Sequence, residues 1–363
     1  MLSSRTMNDH TSSWPNITPG VEAVEANLTG VYMMTNYTHV ILYSILILCS
    51  LLGNVLVIAV VFGNRNLRTN FNHLIVNMAV SDLIIPLLIL PLKIVQLTNG
   101  PEWLVEGPLG EALCKLCYFF SDISSAVSVL SLVIIAINRY TSIAHPMRSQ
   151  VFSRKKSRAL ISITWIASSL LFSPYFYTFG LHNERGYTEC LWSWYPADNK
   201  LATAIFYSIV TATIFVIPLI AIIIMYSLMA YKIKLNSRNI EGMLNDKQAR
   251  RRRNRNNNIF YVSIVIVCCF IFLWGPYHCF VAFYITGNSP PSIMDKETAI
   301  FVVQFLGYAN SAINPCIYFI FLKQFRQGLR ILGCRKESRK KKSLTLLSMT
   351  GTRYSSRREQ EAG

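Results

Sequence analysis

The chain has 363 residues, of which 52% are hydrophobic and 15% are charged, and its formal net charge is +17. Ordinary soluble domains contain about 25% charged residues, so the composition argues against that class. The sequence has no phosphate-binding loop, metalloprotease helix or nucleophile elbow, so nothing in it indicates an enzyme.

Seven apolar stretches are each long enough to cross a bilayer, whose hydrocarbon core of about 30 Å requires roughly 20 helical residues. They lie at 39–63, 72–98, 112–137, 159–179, 201–231, 259–286 and 298–322. The predicted fold is an all-α membrane protein, a seven-transmembrane helix bundle over 39–322. No internal repeat is visible, which leaves a seven-span transporter or channel as a remote alternative.

The segments on either side of the bundle are polar. Residues 1–38 are the predicted extracellular tail. Residues 1–30 lack the apolar core of a signal peptide, so we expect the first span itself to direct insertion. After the seventh span, residues 323–333 are predicted to form a short amphipathic helix beside the membrane. The tail at 334–363 is rich in Ser, Thr, Lys and Arg and too poor in hydrophobic residues to fold alone, so it is interpreted as disordered.

Charge predicts the orientation of the bundle. Of the 35 Lys and Arg residues, 29 are assigned to the side of the membrane on which the C-terminus lies. The six assigned to the tail and loops of the N-terminal side are Arg5, Lys93, Lys115, Arg185, Lys200 and Lys296. The positive-inside rule places the N-terminus outside, as in a multi-pass plasma-membrane protein. The basic run at 250–253 directly precedes a span, which favours anionic lipid or an acidic partner groove over nucleic acid.

Glycosylation signals and cysteines agree with this orientation. The three usable N-glycosylation acceptors all precede the first span: Asn16, Asn27 and Asn36. Cys114 opens the third span and Cys190 lies in the longest outer loop, so both face the oxidising side. A bridge between them would tie the loop to the third helix, with Cys117 as the rival partner. Cys334 follows the amphipathic run and is a candidate for palmitoylation.

Polar side chains lie at the depth of the hydrocarbon core. Asp82 is in the middle of the second span, and an ionisable residue there indicates a functional site by default. A carboxylate surrounded by hydroxyl and amide oxygens is a reasonable cage for sodium. The alternative is a protonated or water-bridged Asp82 that only holds helices together. The other polar residues at similar depth are Asn54, Ser124, Ser128, Asn310, Ser311 and Asn314.

Prolines interrupt the fifth, sixth and seventh spans. Each removes a backbone donor and clashes with the preceding turn, so the helix must bend. In the fifth and sixth spans, aromatic residues near the proline would act as levers beside a hinge. The residues concerned are Pro218 with Tyr226, Phe270 and Trp274 with Pro276, and Pro315 itself.

Taken together, the residues from about 38 to 333 resemble the rhodopsin-like (class A) G-protein-coupled receptors. Any one motif is weak, but all of them in order, one set per span, are a strong signal. The motifs here are Gly53-Asn54, Asp82, Cys114, Asn138-Arg139-Tyr140, Trp165, Cys190, Pro218, Tyr226, Phe270-x-x-x-Trp274-x-Pro276 and Asn314-Pro315-Cys316-Ile317-Tyr318. We predict that Cys114 and Cys190 are bonded.

The resemblance implies a role for each motif. The sodium pocket, which favours the resting state, would be lined by Asp82, Ser128, Asn310 and Asn314. The transmission switch, which lets the sixth helix swing outward when agonist binds, would comprise Pro218, Phe270, Trp274 and Pro276. The G-protein-coupling switch would comprise Asn138, Arg139, Tyr140, Tyr226, Asn314, Pro315 and Tyr318. The implied partners are a heterotrimeric G protein and, through the Ser/Thr-rich tail, receptor kinases and arrestin. No cofactor is expected beyond an allosteric sodium ion.

One departure from the family pattern bears on the resting state. The family usually has Asp or Glu before the arginine, whereas this chain has Asn138, which cannot form the restraining ion pair with Arg139. The start of the sixth span is rich in Arg and Asn and offers no carboxylate in its place.

The ligand prediction rests on resemblance within the family. The amine-binding Asp of aminergic receptors would fall at Ser121 and the retinal-binding Lys of opsins at Tyr308, so neither class is expected. The aromatic outer loop and Leu90-Pro91 resemble the neuropeptide-receptor branch. A class A receptor for a lipid or other small non-peptide ligand is the alternative. The candidate pocket residues are Ser121, Asp122, Tyr277, His278, Gln304 and Tyr308.

Acidic residues outnumber basic ones on the outer side. Such a surface would steer a cationic peptide toward the receptor, although loop acids also serve simply for solvation. The eleven acids are Asp9, Glu22, Glu25, Glu102, Glu106, Glu111, Glu184, Glu189, Asp198, Asp295 and Glu297.

Overall fold

The computed structural model describes residues 19–144, 153–184, 186–240, 246–286 and 296–333. Within these ranges, seven helical segments are long and apolar enough to cross a membrane. Each coincides with one predicted span, so the seven-helix prediction is confirmed. The segments are Met34–Gly63, Asn70–Asn99, Gly107–Thr141, Lys155–Thr178, Asn199–Leu235, Ile264–Phe283 and Lys296–Phe321.

The helices often run beyond the membrane segments that they contain. In chain order they are α1 (Pro19–Gly63), α2 (Asn70–Asp82), α3 (Leu90–Asn99), α4 (Gly107–Ala144), α5 (Arg154–Phe172), α6 (Tyr175–Thr178), α7 (Asn199–Thr211), α8 (Ile217–Ile240), α9 (Asp246–Thr286) and α10 (Lys296–Phe321). A further helix, α11, covers 323–333. A short 3₁₀ turn, Arg65–Leu67, connects α1 to α2.

The polar connection between the fifth and sixth spans is helical in the residues that the structure describes. Helix α8 continues to Ile240 and α9 already begins at Asp246, whereas apolar composition placed the ends at 231 and 259. Hydropathy detects where a helix leaves the hydrocarbon, but intrahelical hydrogen bonds do not depend on apolar side chains. For the same reason α1 begins at Pro19, inside the segment assigned to the outer tail.

Two of the spans contain a π-helical turn that the sequence did not predict. One joins α2 to α3 at Ile85–Ile89 and includes Pro86. The other joins α7 to α8 at Ala212–Val216 and ends two residues before Pro218. Proline removes an α-helical hydrogen bond, and a wider turn lets the backbone be satisfied with a different spacing. Pro276 and Pro315, by contrast, lie inside continuous helices.

The loop between the fourth and fifth spans forms a β-hairpin, which is the exception to the all-α prediction. Strands β1 (Phe179–Glu184) and β2 (Tyr187–Trp192) are antiparallel, and Gly186 has a φ of 89° in the turn between them. The backbone NH of Leu181 donates to Glu111 Oε2 at 2.8 Å, which fastens the hairpin to the outer end of α4. Strand pairing satisfies backbone groups that would otherwise lie unpaired over the helix ends.

Helix α11 is amphipathic, as predicted, and packs against the C-terminal ends of the first and seventh spans. Phe325 is fully buried, with its ring centroid 5.9 Å from that of Tyr318. A Cβ at Gly328 would lie 2.6 Å from Cγ1 of Val60, so only glycine permits this close approach to α1. The Asn64 amide donates to the Gly328 carbonyl at 3.3 Å across the same contact.

Candidate functional site

A cavity of about 180 Å³ lies among the membrane helices beneath the hairpin. Its walls come from the second, third, fifth, sixth and seventh spans, from Phe172 at the end of α5, from Tyr175 in α6 and from Phe179 at the start of β1. All six predicted pocket residues line it: Ser121, Asp122, Tyr277, His278, Gln304 and Tyr308. The structure therefore brings these residues together, and their contact with a ligand stays a prediction.

The disulfide prediction is confirmed. Cys114 and Cys190 are bonded, with a Cα–Cα distance of 5.8 Å, and the rival Cys117 is unbonded. The bond holds β2 against the outer end of α4. The loop that carries Phe179 is thus fixed beside the cavity at its two anchor points, the disulfide and Glu111.

Asp122 is engaged by the protein itself. The Tyr175 hydroxyl donates a hydrogen bond to its Oδ2 atom. Tyr175 is buried at 2% exposure and makes edge-to-face contacts with Phe172 and Trp192. Since these neighbours fix the tyrosine ring, Asp122 is oriented by a rigid partner.

Lys93 also lines the cavity, which differs from its predicted position. It was counted with the outer tail and loops, but it lies in α3, within the second span. The available signal was its position inside the predicted stretch 72–98, where an ionisable residue is a functional candidate by default.

Trp274 lies at the inner side of the cavity and connects it to the core. A Cβ at Gly307 would lie 3.3 Å from Cζ3 of the indole. The seventh span, helix α10, therefore approaches the Trp274 ring closely at this glycine. The indole Nε1 is buried without a hydrogen-bond partner. Trp274 and Phe270 belong to the same buried cluster, and the Phe270 ring lies 5.6 Å from that of Phe215 in the fifth span.

His278 couples the same side of the cavity to the fifth span. It is 5% exposed, lies 3.1 Å from Thr211 Oγ1 through Nδ1, and stacks on Phe215 at 4.4 Å between ring centroids. Tyr277, its neighbour, meets Trp274 edge-to-face at 6.0 Å. Trp274, one of the predicted transmission-switch residues of the sixth span, thus contacts Tyr277 and His278, which line the cavity.

Asp82 is the centre of a buried polar cluster. Its Oδ1 accepts from Ser128 Oγ at 2.6 Å and its Oδ2 accepts from the Asn314 amide at 2.9 Å. Asn310, one helical turn before Asn314, is also buried, at 7% exposure. Carboxylate, hydroxyl and amide oxygens are hard donors, so the chemistry of these four residues fits a sodium ion.

Asn54 joins the first and seventh spans through hydrogen bonds of its side-chain amide. Its amide donates to the carbonyls of Ser50 and Ser311, each at 2.9 Å. Beside it, a Cβ at Gly53 would lie 2.8 Å from Cβ of Pro315, so the helices meet closely at the seventh-span proline. The carbonyl of Ser311, four residues before that proline, thereby gains the Asn54 amide as a partner.

Trp165 forms a hydrogen bond between spans in addition to its packing contacts. Its indole NH donates to Asn77 Oδ1 at 2.9 Å, and the Asn77 amide donates to Ser131 Oγ at 3.0 Å. The second, third and fourth spans are therefore joined through one asparagine.

At the C-terminal end of the third span, Arg139 lies over an aromatic ring. Its guanidinium carbon is 3.4 Å from the ring centroid of Phe71 in α2. Asn138 and Tyr140 flank it and are half-buried. Tyr318 is 3% exposed, and its hydroxyl contacts Sδ of Met78 at 3.6 Å. Tyr226 packs against the same hydrophobic core.

The remaining predicted sites stay predictions. Asn27 and Asn36 lie in α1, and the Asn36 amide is 3.5 Å from the Leu97 carbonyl. Asn16, Cys334 and the tail at 334–363 lie outside the described residues.

The fold and these motifs define a seven-span membrane receptor. The family profile described as 7 transmembrane receptor (rhodopsin family) matches residues 53–318. The chain therefore belongs to the rhodopsin family of G-protein-coupled receptors, a family of signalling receptors rather than of enzymes. The family resemblance that the sequence indicated is confirmed.

Peptide receptors are among its similar proteins. The chain is 26% identical over 329 residues to a QRFP-like peptide receptor of Branchiostoma floridae, covering 88% of this chain and 80% of the relative. It is 28% identical over 305 residues to somatostatin receptor type 2 of Mus musculus, covering 83% and 78%. A cholecystokinin receptor of Xenopus laevis is 28% identical over 235 residues, which cover 62% of this chain but only 49% of that relative.

Proposed function

We propose that this protein is a plasma-membrane receptor that binds an extracellular peptide and activates a heterotrimeric G protein. The observation that carries the proposal is the continuous packing from the cavity to the cytoplasmic motif. Trp274 borders the cavity and belongs to the same buried cluster as Tyr318. A ligand that binds one arrangement of this cluster better than another would shift the population of the cytoplasmic side.

Peptide as the ligand class is supported by the relatives and by the outer surface. Peptide receptors occur among the similar proteins. The hairpin beside the cavity carries exposed or half-exposed polar groups, such as His182 and Glu189, that would contact the part of a peptide remaining outside. A lipid or other small ligand is the second candidate, favoured only by the small size of the cavity.

The orientation and the intracellular partners follow from this proposal. The N-terminus, with Asn16, Asn27 and Asn36, is extracellular and glycosylated. Arg139 meets the G protein once the sixth helix has moved outward, and the tail engages receptor kinases and arrestin. The basic cytoplasmic residues face anionic lipid.

Sodium acts as an allosteric inhibitor in this proposal. Asp82, Ser128, Asn310 and Asn314 would hold it through oxygen atoms, supplying a charge that joins the second, third and seventh helices. An ion bound only in the resting arrangement stabilises that arrangement by its differential affinity.

A pooled screen of secreted-peptide libraries tests the proposal. Cells that express the receptor and matched cells that express Arg139→Ala would be assayed for G-protein activation. We expect at least one peptide to activate the native receptor alone. If only lipids or other non-peptide compounds activated it, the peptide assignment would be wrong while the receptor assignment stood.

A further inference from the structure

Lys93 brings a positive charge into the cavity, and the protein does not neutralise it. Among the residues that the structure describes, Lys93 is the only Lys or Arg that lines the cavity. It forms no ion pair with Asp122 or with any other described acid. Asp122, which also lines the cavity, accepts a hydrogen bond from Tyr175.

The surroundings of Lys93 are suited to an anion. Besides Tyr175, which donates to Asp122, four tyrosines line the same cavity: Tyr118, Tyr207, Tyr277 and Tyr308. Phenolic hydroxyls donate hydrogen bonds to carboxylates, and an ammonium group adds up to three further donors. The hydroxyl of Tyr118 accepts from the Gln96 amide at 3.5 Å, which leaves its own proton available for an acceptor.

The desolvation of Lys93 on ligand binding favours ligands that carry a negative charge. A ligand that fills the cavity removes water from Lys93, and burying an ammonium without an opposite charge is costly. A ligand that brings a carboxylate replaces the lost hydration with a charge-assisted hydrogen bond, whereas a neutral ligand does not. We propose that Lys93 recognises a carboxylate of the ligand. This inference rests on the proposed function of the cavity as the ligand site.

The size of the cavity limits what can carry that carboxylate. Pockets that enclose whole drug-sized ligands occupy about 300–1,000 Å³, whereas this cavity measures about 180 Å³. It accommodates one residue at the end of a peptide or one inserted acidic side chain. An acidic outer surface and an anion-binding interior are compatible, because a peptide that is cationic along its length still carries one carboxylate.

Small acid and amide pairs test the proposal without a known agonist. The full-length receptor in lipid nanodiscs would be melted with millimolar N-acetyl-phenylalanine or its C-terminal amide, which probe a terminal carboxylate. N-acetyl-aspartyl amide and N-acetyl-asparaginyl amide probe a side-chain carboxylate. Because a ligand raises the melting temperature according to its concentration and affinity, the difference within each pair reports carboxylate recognition.

Three variants make the test specific. Lys93→Gln removes the charge, Lys93→Arg keeps it, and Lys115→Gln removes a charge that is paired with Glu111 on the outer end of α4 and does not line the cavity. We expect at least one acid to bind the native receptor about tenfold tighter than its amide, a difference of about 1.4 kcal/mol. Lys93→Gln should remove this preference, whereas Lys93→Arg and Lys115→Gln should keep it.

Three results would each overturn the assignment of Lys93. They are equal shifts by acid and amide on the native receptor, a preference for the acid that persists in Lys93→Gln, and no shift by either acid. If Lys93→Gln does not fold, loss of the preference in Lys93→Arg would count against the assignment and its retention would support it. Since these probes report binding and not signalling, their result is independent of whether a peptide agonist is found.

Discussion

Arg139 lies over the face of Phe71, with 3.4 Å between the guanidinium carbon and the ring centroid. This contact joins α4 to α2 at the position where the family usually restrains the arginine with an acid. An arginine on an aromatic face gains about 0.5–2 kcal/mol, depending on how far the pair is desolvated. The stacked pair therefore provides part of the restraint that Asn138 does not.

Replacing Phe71 with leucine should raise ligand-free signalling. The substitution keeps apolar bulk but removes the aromatic face, so the resting position of Arg139 loses stabilisation. A loss of about 1 kcal/mol changes a two-state population roughly fivefold. Basal G-protein activation would be measured at matched surface expression, with the exposed Phe62→Leu in α1 as the control. Basal output equal to that of the control would show that the stacking does not restrain Arg139.

Restoring the acid should have the opposite effect. Asn138→Asp places a carboxylate beside Arg139, and a charge-assisted hydrogen bond contributes about 1.5–3 kcal/mol when it is partly buried. We expect basal signalling to fall below that of the native receptor. Asn138→Ala separates loss of the amide from gain of the charge. Unchanged or increased basal output in Asn138→Asp would mean that residue 138 does not tune the switch.

Sodium should stabilise the ligand-free receptor through Asp82. Sodium is expected to raise the melting temperature of the native receptor relative to equal potassium, and to weaken agonist affinity. Asp82→Asn keeps hydrogen-bonding capacity toward Ser128 and Asn314 but removes the charge that holds the ion. The variant should therefore respond alike to the two salts. A sodium effect of native size in Asp82→Asn would refute the proposed ion site.

Removal of the disulfide should destabilise the receptor and loosen the hairpin. The bond joins residues 76 positions apart, and a disulfide typically contributes about 2–4 kcal/mol to stability. We expect Cys190→Ser to lower the thermal stability and surface expression. Cys117→Ser is the matched control and should leave both near native values, since Cys117 is not bonded.

The sequence predicted the features that depend on local composition. Hydropathy predicts the seven spans and the amphipathic helix, and the structure contains them. The order of the motifs follows from their spacing in the sequence. The π-turns at Ile85–Ile89 and Ala212–Val216 depend on how prolines are accommodated among neighbouring helices. The stacking of Arg139 on Phe71 joins two separate helices, so no local pattern indicates it.

Two predictions from the sequence differ from the structure. Lys93 was predicted to lie in the outer tail and loops, but it lies in the second span and lines the cavity. The predicted fold was all-α, whereas the backbone groups of the loop after the fourth span pair with each other as a hairpin. In both cases, tertiary packing decided the outcome.

Nucleotide exchange by a purified G protein tests the central claim most directly. The receptor would be reconstituted in nanodiscs with a heterotrimeric G protein and a peptide that binds it, and GTP uptake would be followed over time. We predict that the peptide accelerates uptake by the native receptor, and that Arg139→Ala removes the acceleration while peptide binding remains. Peptide binding without any acceleration in the native receptor would contradict the assignment of this protein as a peptide-activated G-protein-coupled receptor.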